Sequence, residues 1–268
     1  MLEGLSPARR RFVLGLAVLA LVAAVGVGAA VWANRDEAVR PVSQESQGPV
    51  LLVPGYNGGT TALEVLADAL RSQGRSVVIV DLPGDNTGDL DEQARALDKA
   101  VVLQMQRDGA RSVDVVGYSA GGVVARLWAR DHGGDSLARR IVTIGSPHHG
   151  TDLAGLGADV APDSCPEACQ QLLPDSELLR KLNAGDETPA GPVWVSIWTT
   201  DDQVVVPPSS ADLDGALDFT VQSVCPGLEV THGDLPRTPA VIAAVTRELA
   251  VAEPAVPGPE ICQPGVSP

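Results

Sequence analysis

Gly117-Tyr118-Ser119-Ala120-Gly121 sets a serine between two glycines in the pattern G-x-S-x-G. The chain contains 28 glycines, so the pattern alone is weak and its setting has to carry the reading. A Val-rich run, Val113–Val116, comes directly before it and a helical pattern directly after it. A strand–turn–helix setting exposes the hydroxyl at the tip of a tight turn, and the glycines remove side chains that would collide with neighbouring backbone. The helix start points its dipole at the same place and favours negative charge developing there. The rival reading is an ordinary glycine-rich turn with no chemistry.

A serine hydroxyl is a poor nucleophile until a base takes its proton. There are four histidines. His132 falls at the far end of the helix that starts at Ser119, nearly ~20 Å away at ~1.5 Å per residue, and is expected to cap that helix. His148 and His149 lie in Gly145-Ser146-Pro147-His148-His149-Gly150, ahead of any carboxylate that fits the chain order nucleophile, acid, base. They are expected to be structural or to sit near the rim. His232, in Glu229-Val230-Thr231-His232-Gly233-Asp234, follows the last expected strand and precedes the last expected helix. A loop there projects from the carboxyl edge of a sheet, beside the serine, so His232 is the expected base. Its imidazole needs a carboxylate to hold the tautomer. Asp201 and Asp202, just beyond the run Val193–Thr199, are the candidates, and the one not used would be a turn former or a hydrogen-bond partner. An oxyanion needs backbone N–H donors. Ala120 would supply one and Tyr56, in Val53-Pro54-Gly55-Tyr56-Asn57-Gly58-Gly59, the other. A phosphate-binding loop is the alternative for that stretch, but no Gly-Lys-Ser/Thr follows it.

These residues must be positioned by the elements around them. Strands are expected at Val50–Val53, Val77–Val80, Val113–Gly117, Ile141–Ile144, Val193–Thr199 and Phe219–Val224, all short, continuous and Val/Ile-rich as strands covered on both faces should be. Helical patterns fill Thr61–Ser72, Leu90–Arg107, Gly121–Asp131 and Pro239–Val251. Their alternation predicts an α/β fold, a compact doubly wound, mostly parallel sheet of about six strands over residues 49–252. The stretch 151–192 breaks the rhythm, with one short helical pattern at Ser176–Asn183, and reads as a lid- or cap-like insertion or else a surface excursion. Residues 34–48 read as a linker, and the Pro-rich stretch 253–268 as a tail without regular structure.

Arg9, Arg10 and Arg11 precede an uncharged apolar run from Phe12 to Trp32. Residues 1–33 therefore read as an export signal or as a retained single transmembrane anchor. Either one places the remainder outside the cytoplasm, extracellular or at the cell surface. The even set Cys165, Cys169, Cys225 and Cys262 then suggests two disulfides, preferably Cys165–Cys169 and Cys225–Cys262, the second pinning the tail. A metal site at the close pair is disfavoured because no histidine sits near it. The formal net charge of −15 argues against nucleic acid and against docking on anionic lipid. An apolar fraction of 44% excludes a disordered chain. With 3% aromatics, the core must be built from Val, Leu, Ile and Ala.

Four stretches together resemble the bacterial lipase and esterase branch of the α/β-hydrolase superfamily over residues 49–251: Pro54-Gly55-Tyr56, Gly117–Gly121, Gly145-Ser146-Pro147-His148-His149-Gly150-Thr151, and the Asp202/His232 pair. The third is similar to a Gly-Thr-Pro-His-His-Gly-Thr stretch of family lipases. Asp202-Gln203-Val204-Val205 resembles the family's Asp-x-x-Val after the corresponding strand, which favours Asp202 over Asp201. Pro54-Gly55 stands where the family has His-Gly, which leaves the shape of that loop open. The resemblance implies a serine hydrolase, triacylglycerol lipase-like, that cleaves carboxylic esters of lipid type through an acyl-enzyme on Ser119. It implies no cofactor, no metal and a monomer. An acyltransferase or thioesterase on the same triad is the near alternative, and a catalytically inactive surface binding module the distant one.

Overall fold

In the computed structural model the described residues are 39–58, 60–152 and 165–262. Six strands form one sheet: β1 Val50–Val53, β2 Val77–Ile79, β3 Val113–Tyr118, β4 Ala138–Ile144, β5 Val193–Trp198 and β6 Leu217–Thr220. All neighbours are parallel, in the order β2-β1-β3-β4-β5-β6. Three longer helices follow the first three strands, α1 Thr61–Ser72, α2 Leu90–Asp108 and α3 Ala120–Asp131. Two short helices come between β4 and β5, α4 Glu167–Gln171 and α5 Glu177–Leu182. After β6 come α6 Val221–Val224 and α7 Pro239–Glu248.

The sheet is covered on both faces, which is why its strands read as unbroken apolar runs. One face packs on α2 and α3 through Leu97, Val101, Val124 and Trp128, and the other on α1 and α7 through Leu63, Leu66, Val241 and Val245. Helix α2 begins where the Asp89 carboxylate accepts from Glu92 N–H at 2.8 Å, and ends at Gly109 with φ +62°, a left-handed stop that glycine adopts without strain. The order reverses between β1 and β3. The loops leaving their carboxyl ends therefore diverge around a crevice, the place where open parallel sheets bind ligands.

The doubly wound parallel sheet is the one expected, with differences in its elements that have identifiable causes. Strand β4 starts three residues before Ile141, at Ala138, because Arg139 and Arg140 lie inside the fold rather than at its surface. Arg139 grips the buried Asp114 carboxylate with two bonds of 2.9 and 2.6 Å, and Arg75 reaches the same carboxylate at 2.5 Å. Both β4 arginines also donate to carbonyls at the end of α7, Arg139 to Leu249 O at 2.6 Å and Arg140 to Glu248 O. These cations satisfy the helix's orphan carbonyls, and α7 stops at Glu248 rather than at Val251. The expected strand Phe219–Val224 is a strand only to Thr220. There the Thr220 hydroxyl accepts from Ser223 N–H at 2.9 Å and turns Val221–Val224 into α6.

The expected linker 34–48 becomes part of the domain before its end: Gln44 donates to Arg139 O at 3.0 Å and Gln47 to Leu249 O at 2.7 Å. The tail is not wholly irregular, since Pro259–Cys262 forms a 3-10 turn. In the expected insertion, α5 matches the pattern at Ser176–Asn183, and α4 is a helix the pattern missed. Helix α4 docks on the start of α2, where Gln171 accepts from Leu90 N–H and donates to Asp89, both at 2.8 Å. Residues 153–164 of that insertion, the apolar run Phe12–Trp32 and residues 263–268 lie outside the described residues. Among the described residues no helix is long and apolar enough to cross a membrane. The cysteines pair as Cys165–Cys169 and Cys225–Cys262, with Cα separations of 5.4 and 5.5 Å.

Two outcomes follow from this packing. Cys225–Cys262 closes a sequence separation of 37 residues. Replacing both by serine is expected to cost about 2–4 kcal/mol in urea unfolding, because the unfolded chain regains that loop's freedom. Asp218 on β6 accepts from Trp198 Nε1 at 3.0 and 3.1 Å, and burial pushes its carboxyl up to about 6. Its folded value thus lies above the unfolded value of about 3.9, so its contribution to stability is lost as pH rises through the interval from about 4 to 6. Asp218→Asn should melt at a higher temperature than wild type at pH 8 and at the same temperature below pH 4.

Candidate active site

Ser119 sits at the junction of β3 and α3 with φ +53° and ψ −128°. A left-handed serine is strained, and it persists only where its surroundings fix it. Here Ser119 N–H donates to Ile144 O at 2.9 Å, extending the β3–β4 ladder one residue past the strand. Gly121 lies against the end of β1, where a Cβ would overlap the Val53 carbonyl oxygen. The turn therefore places the serine hydroxyl beyond the carboxyl edge of the sheet, beside the loop that leaves β1.

His232 opens a short 3-10 helix, His232–Arg237, whose Leu235 is fully buried in the core. Its Nε2 lies 3.0 Å from Ser119 Oγ and its Nδ1 lies 2.7 Å from Asp202 Oδ2. Asp202 follows β5. Its other oxygen accepts from the backbone amides of Val204 and Val205 at 2.9 and 2.8 Å, which fixes the carboxylate plane and leaves Oδ2 for the imidazole. With Asp202 Oδ2 accepting, Nδ1 carries the ring proton and Nε2 is free to accept from the serine hydroxyl. His232 and Asp202 are both buried, at 7% and 6% exposure, so water competes little for these bonds. Gly145, at the end of β4, has φ +54°, and a Cβ there would stand 3.4 Å from both Asp202 Oδ2 and His232 Nδ1 and 2.6 Å from Leu235 Cδ1.

Tyr118, the variable residue before the serine, takes part as well. Its hydroxyl donates to the His232 carbonyl at 3.1 Å, and its ring centroid lies 5.2 Å from the imidazole's. Burial, then the Asp202 charge, pushes its phenol up to about 12, so it remains a donor. In the loop after β1, Gly58 N–H closes a turn on Gly55 O at 3.1 Å, with Asn57 at φ +47°. The amides of Tyr56 and Ala120 have no acceptor among the described residues. A cavity of about 360 Å³ opens here, bounded by Gly55, Tyr56, Asn57, Tyr118, Ser119 and His232, with Ala62 and Val204 as apolar wall. A larger cavity, about 780 Å³, lies between α3, α4 and α5, but it holds no histidine and its serine, Ser176, caps α5.

The other expected residues fall elsewhere. His132 caps α3 and lies 2.6 Å from Asp91. His148 is fully buried against Thr143 Oγ1 at 3.0 Å, and burial, then the charges of Arg126 and His149, holds it well below the usual imidazole range and therefore neutral. His149 is half-exposed and meets Glu187 at 3.0 Å. Asp201 points away from His232 and accepts from Gln222 Nε2 at 3.0 Å and Val230 N–H at 3.2 Å. The contact of Tyr118 with His232 had no signal in the sequence, since the two residues are distant in the chain.

A family model described as the alpha/beta hydrolase fold matches residues 48–162. A triacylglycerol lipase of Burkholderia plantarii is 29% identical over 163 residues, 57% of this chain and 44% of its own length. A triacylglycerol lipase of Pseudarthrobacter phenanthrenivorans is 31% identical over 122 residues, 42% of this chain and 37% of its own. The chain thus spans less than half the length of the curated relatives it matches. Among solved structures, Aspergillus fumigatus lipase B superposes with a TM-score of 0.67 at 22% identity, over 76% of this chain and 52% of that one. Mature Bacillus licheniformis lipase BlEst2 superposes with a TM-score of 0.58 at 18% identity, over 75% and 91%. At those identities the structures establish the fold.

Gly121→Ala tests the close approach on which the turn depends. The added methyl meets the backbone of β1, which cannot swing aside, so a loss of about 1–3 kcal/mol or more is expected in urea unfolding.

Proposed function

We propose, on the premise that this chain is an α/β-hydrolase by fold with bacterial lipases among its relatives, that it is a serine hydrolase of carboxylic esters, of lipid type. The observation that supports it most is the hydrogen-bonded line Ser119 Oγ to His232 Nε2, 3.0 Å, and His232 Nδ1 to Asp202 Oδ2, 2.7 Å, beginning at a left-handed serine. In this reading Ser119 Oγ attacks the ester carbonyl carbon while its proton passes to His232 Nε2. Asp202 keeps the tautomer and stabilises the imidazolium that forms. The carbonyl oxygen becomes an oxyanion facing the free amides of Tyr56 and Ala120, at the start of α3. Collapse breaks the bond to the alkoxy group, which leaves as an alcohol with the proton from His232. Water then gives a proton to the same nitrogen and attacks the acyl carbon, and collapse breaks the bond to Ser119 Oγ, which takes that proton back as the acid leaves. Ala62 and Val204 give the acyl chain an apolar wall. The two disulfides fit an oxidising compartment, and we take the protein to act outside the cytoplasm.

The test is labelling of the full chain with a fluorophosphonate, together with turnover of p-nitrophenyl esters of increasing acyl length. Wild type should form one adduct, on Ser119. Ser119→Ala should form none and lose ester turnover by about 10⁴-fold or more, and Asp202→Asn should lose about 10⁴-fold. A wild-type chain that is folded yet neither labels nor turns over any ester would overturn the reading and leave a binding module on the same fold.

A further inference from the structure

The carboxylate of Asp202 and the imidazole of His232 arrive on two arms, one leaving β5 and the other running from residue 228 to residue 232 after α6. No backbone hydrogen bond joins residues 199–202 to residues 228–232. The arms are joined by side chains instead, and one amide is at the centre of them.

Gln222, the second residue of α6, has Nε2 within 2.9 Å of Thr199 Oγ1, 3.0 Å of Asp201 Oδ2 and 3.1 Å of Leu228 O. Its Oε1 accepts from Thr200 N–H at 3.0 Å. A primary amide thus donates to both arms and accepts from one of them. Thr199 and Asp201 complete the joint. The Thr199 hydroxyl donates to Val230 O at 2.8 Å, and the Asp201 carboxylate accepts from Val230 N–H at 3.2 Å. Val230 is consequently held on both its backbone groups two residues before His232, by Thr199 and Asp201, three and one residues ahead of Asp202. Helix α6 is itself anchored, because Cys225, at its end, is bonded to Cys262.

We infer that Gln222 is a positioning residue for the proposed esterase chemistry: with Thr199 and Asp201 it clamps the two arms and so sets where Asp202 meets His232. This rests on the function proposed above. It also gives Asp201 a role that leaves Asp202 alone to face the imidazole. Gln222 touches neither the serine nor the imidazole, so its effect passes through Asp202 and His232. A displacement of about 1 Å at reacting groups can cost about 10²-fold in rate. The loss should appear in kcat and leave KM unchanged, since the cavity that receives the ester contains no part of the clamp.

The experiment uses the full chain and the same esters. Gln222→Leu keeps the side chain's bulk and removes all four hydrogen bonds. Gln222→Glu keeps the acceptor for Thr200 and loses the donors, and it carries the test if the leucine variant does not fold. Folding is checked by thermal melting. Each variant should lose about 10- to 100-fold in kcat, with KM within about twofold and with fluorophosphonate labelling of Ser119 slowed in proportion. Asp201→Ala should also lose kcat, and the double variant Gln222→Leu/Asp201→Ala should be no slower than the slower single, because both act through one joint. A folded Gln222 variant with wild-type kcat and labelling rate, a loss confined to KM, or additive losses in the double variant would overturn the inference. A wild-type protein that neither labels nor turns over ester would instead overturn the function on which it rests.

Discussion

A hydroxyl and an imidazole 113 residues apart in the chain lie 3.0 Å from each other, the same imidazole lies 2.7 Å from a carboxylate 30 residues away, and the fold is what brings the three into line. No single loop can do so. The parallel sheet does, because every strand ends at the same edge and each loop that leaves the edge starts from a fixed register. Ser119 continues the β3 ladder by one bond to Ile144, and Gly145 continues the β4 ladder by one bond to Ile197. The reversal of strand order between β1 and β3 then opens the crevice in which the serine, the loop of Tyr56 and the imidazole face each other. The strain at Ser119 is tolerable because β4 and β1 hold the turn from two sides.

The opposite edge of the sheet is held by charge. Asp114, Arg139, Arg140 and Arg75 form a buried cluster where the strands begin, and the arginines close the carbonyls at the end of α7. A fully buried carboxylate is tolerated there because two guanidinium groups satisfy it, and removing one partner from such a site costs far more than the set contributes over apolar packing. Helix α7 in turn lies directly after the short helix that carries His232. The base of the sheet and the candidate site are thus linked through one helix and its caps.

Much of this was legible in the sequence because it is local. Short continuous Val/Ile/Leu runs such as Val50–Val53 read as strands covered on both faces, and Asp89 and Gly109 mark the ends of α2 by their own backbone preferences. The G-x-S-x-G turn declares itself through glycines that the neighbouring backbone requires. The order of serine, aspartate and histidine along the chain pointed to His232 among four histidines, and this is the histidine that lies 3.0 Å from Ser119 Oγ. Where local signals misled, a distant contact had intervened. Arg139 and Arg140 look like surface residues until Asp114 and α7 are brought to them, and Val221–Val224 looks like strand until Thr220 caps it.

What the amino-acid sequence determined by itself, then, is the α/β alternation, the tight serine turn and the short set of residues able to do chemistry, because each depends on backbone preference or on the period of apolar residues within one element. Only the tertiary structure decided that Asp201 turns to Gln222 and Val230, that Tyr118 holds the backbone of His232, and that Gln222 joins two arms. Those are matters of direction and distance between side chains on separate loops. Such geometry exists only once the sheet has set the loops' origins, and no spacing along the chain encodes it.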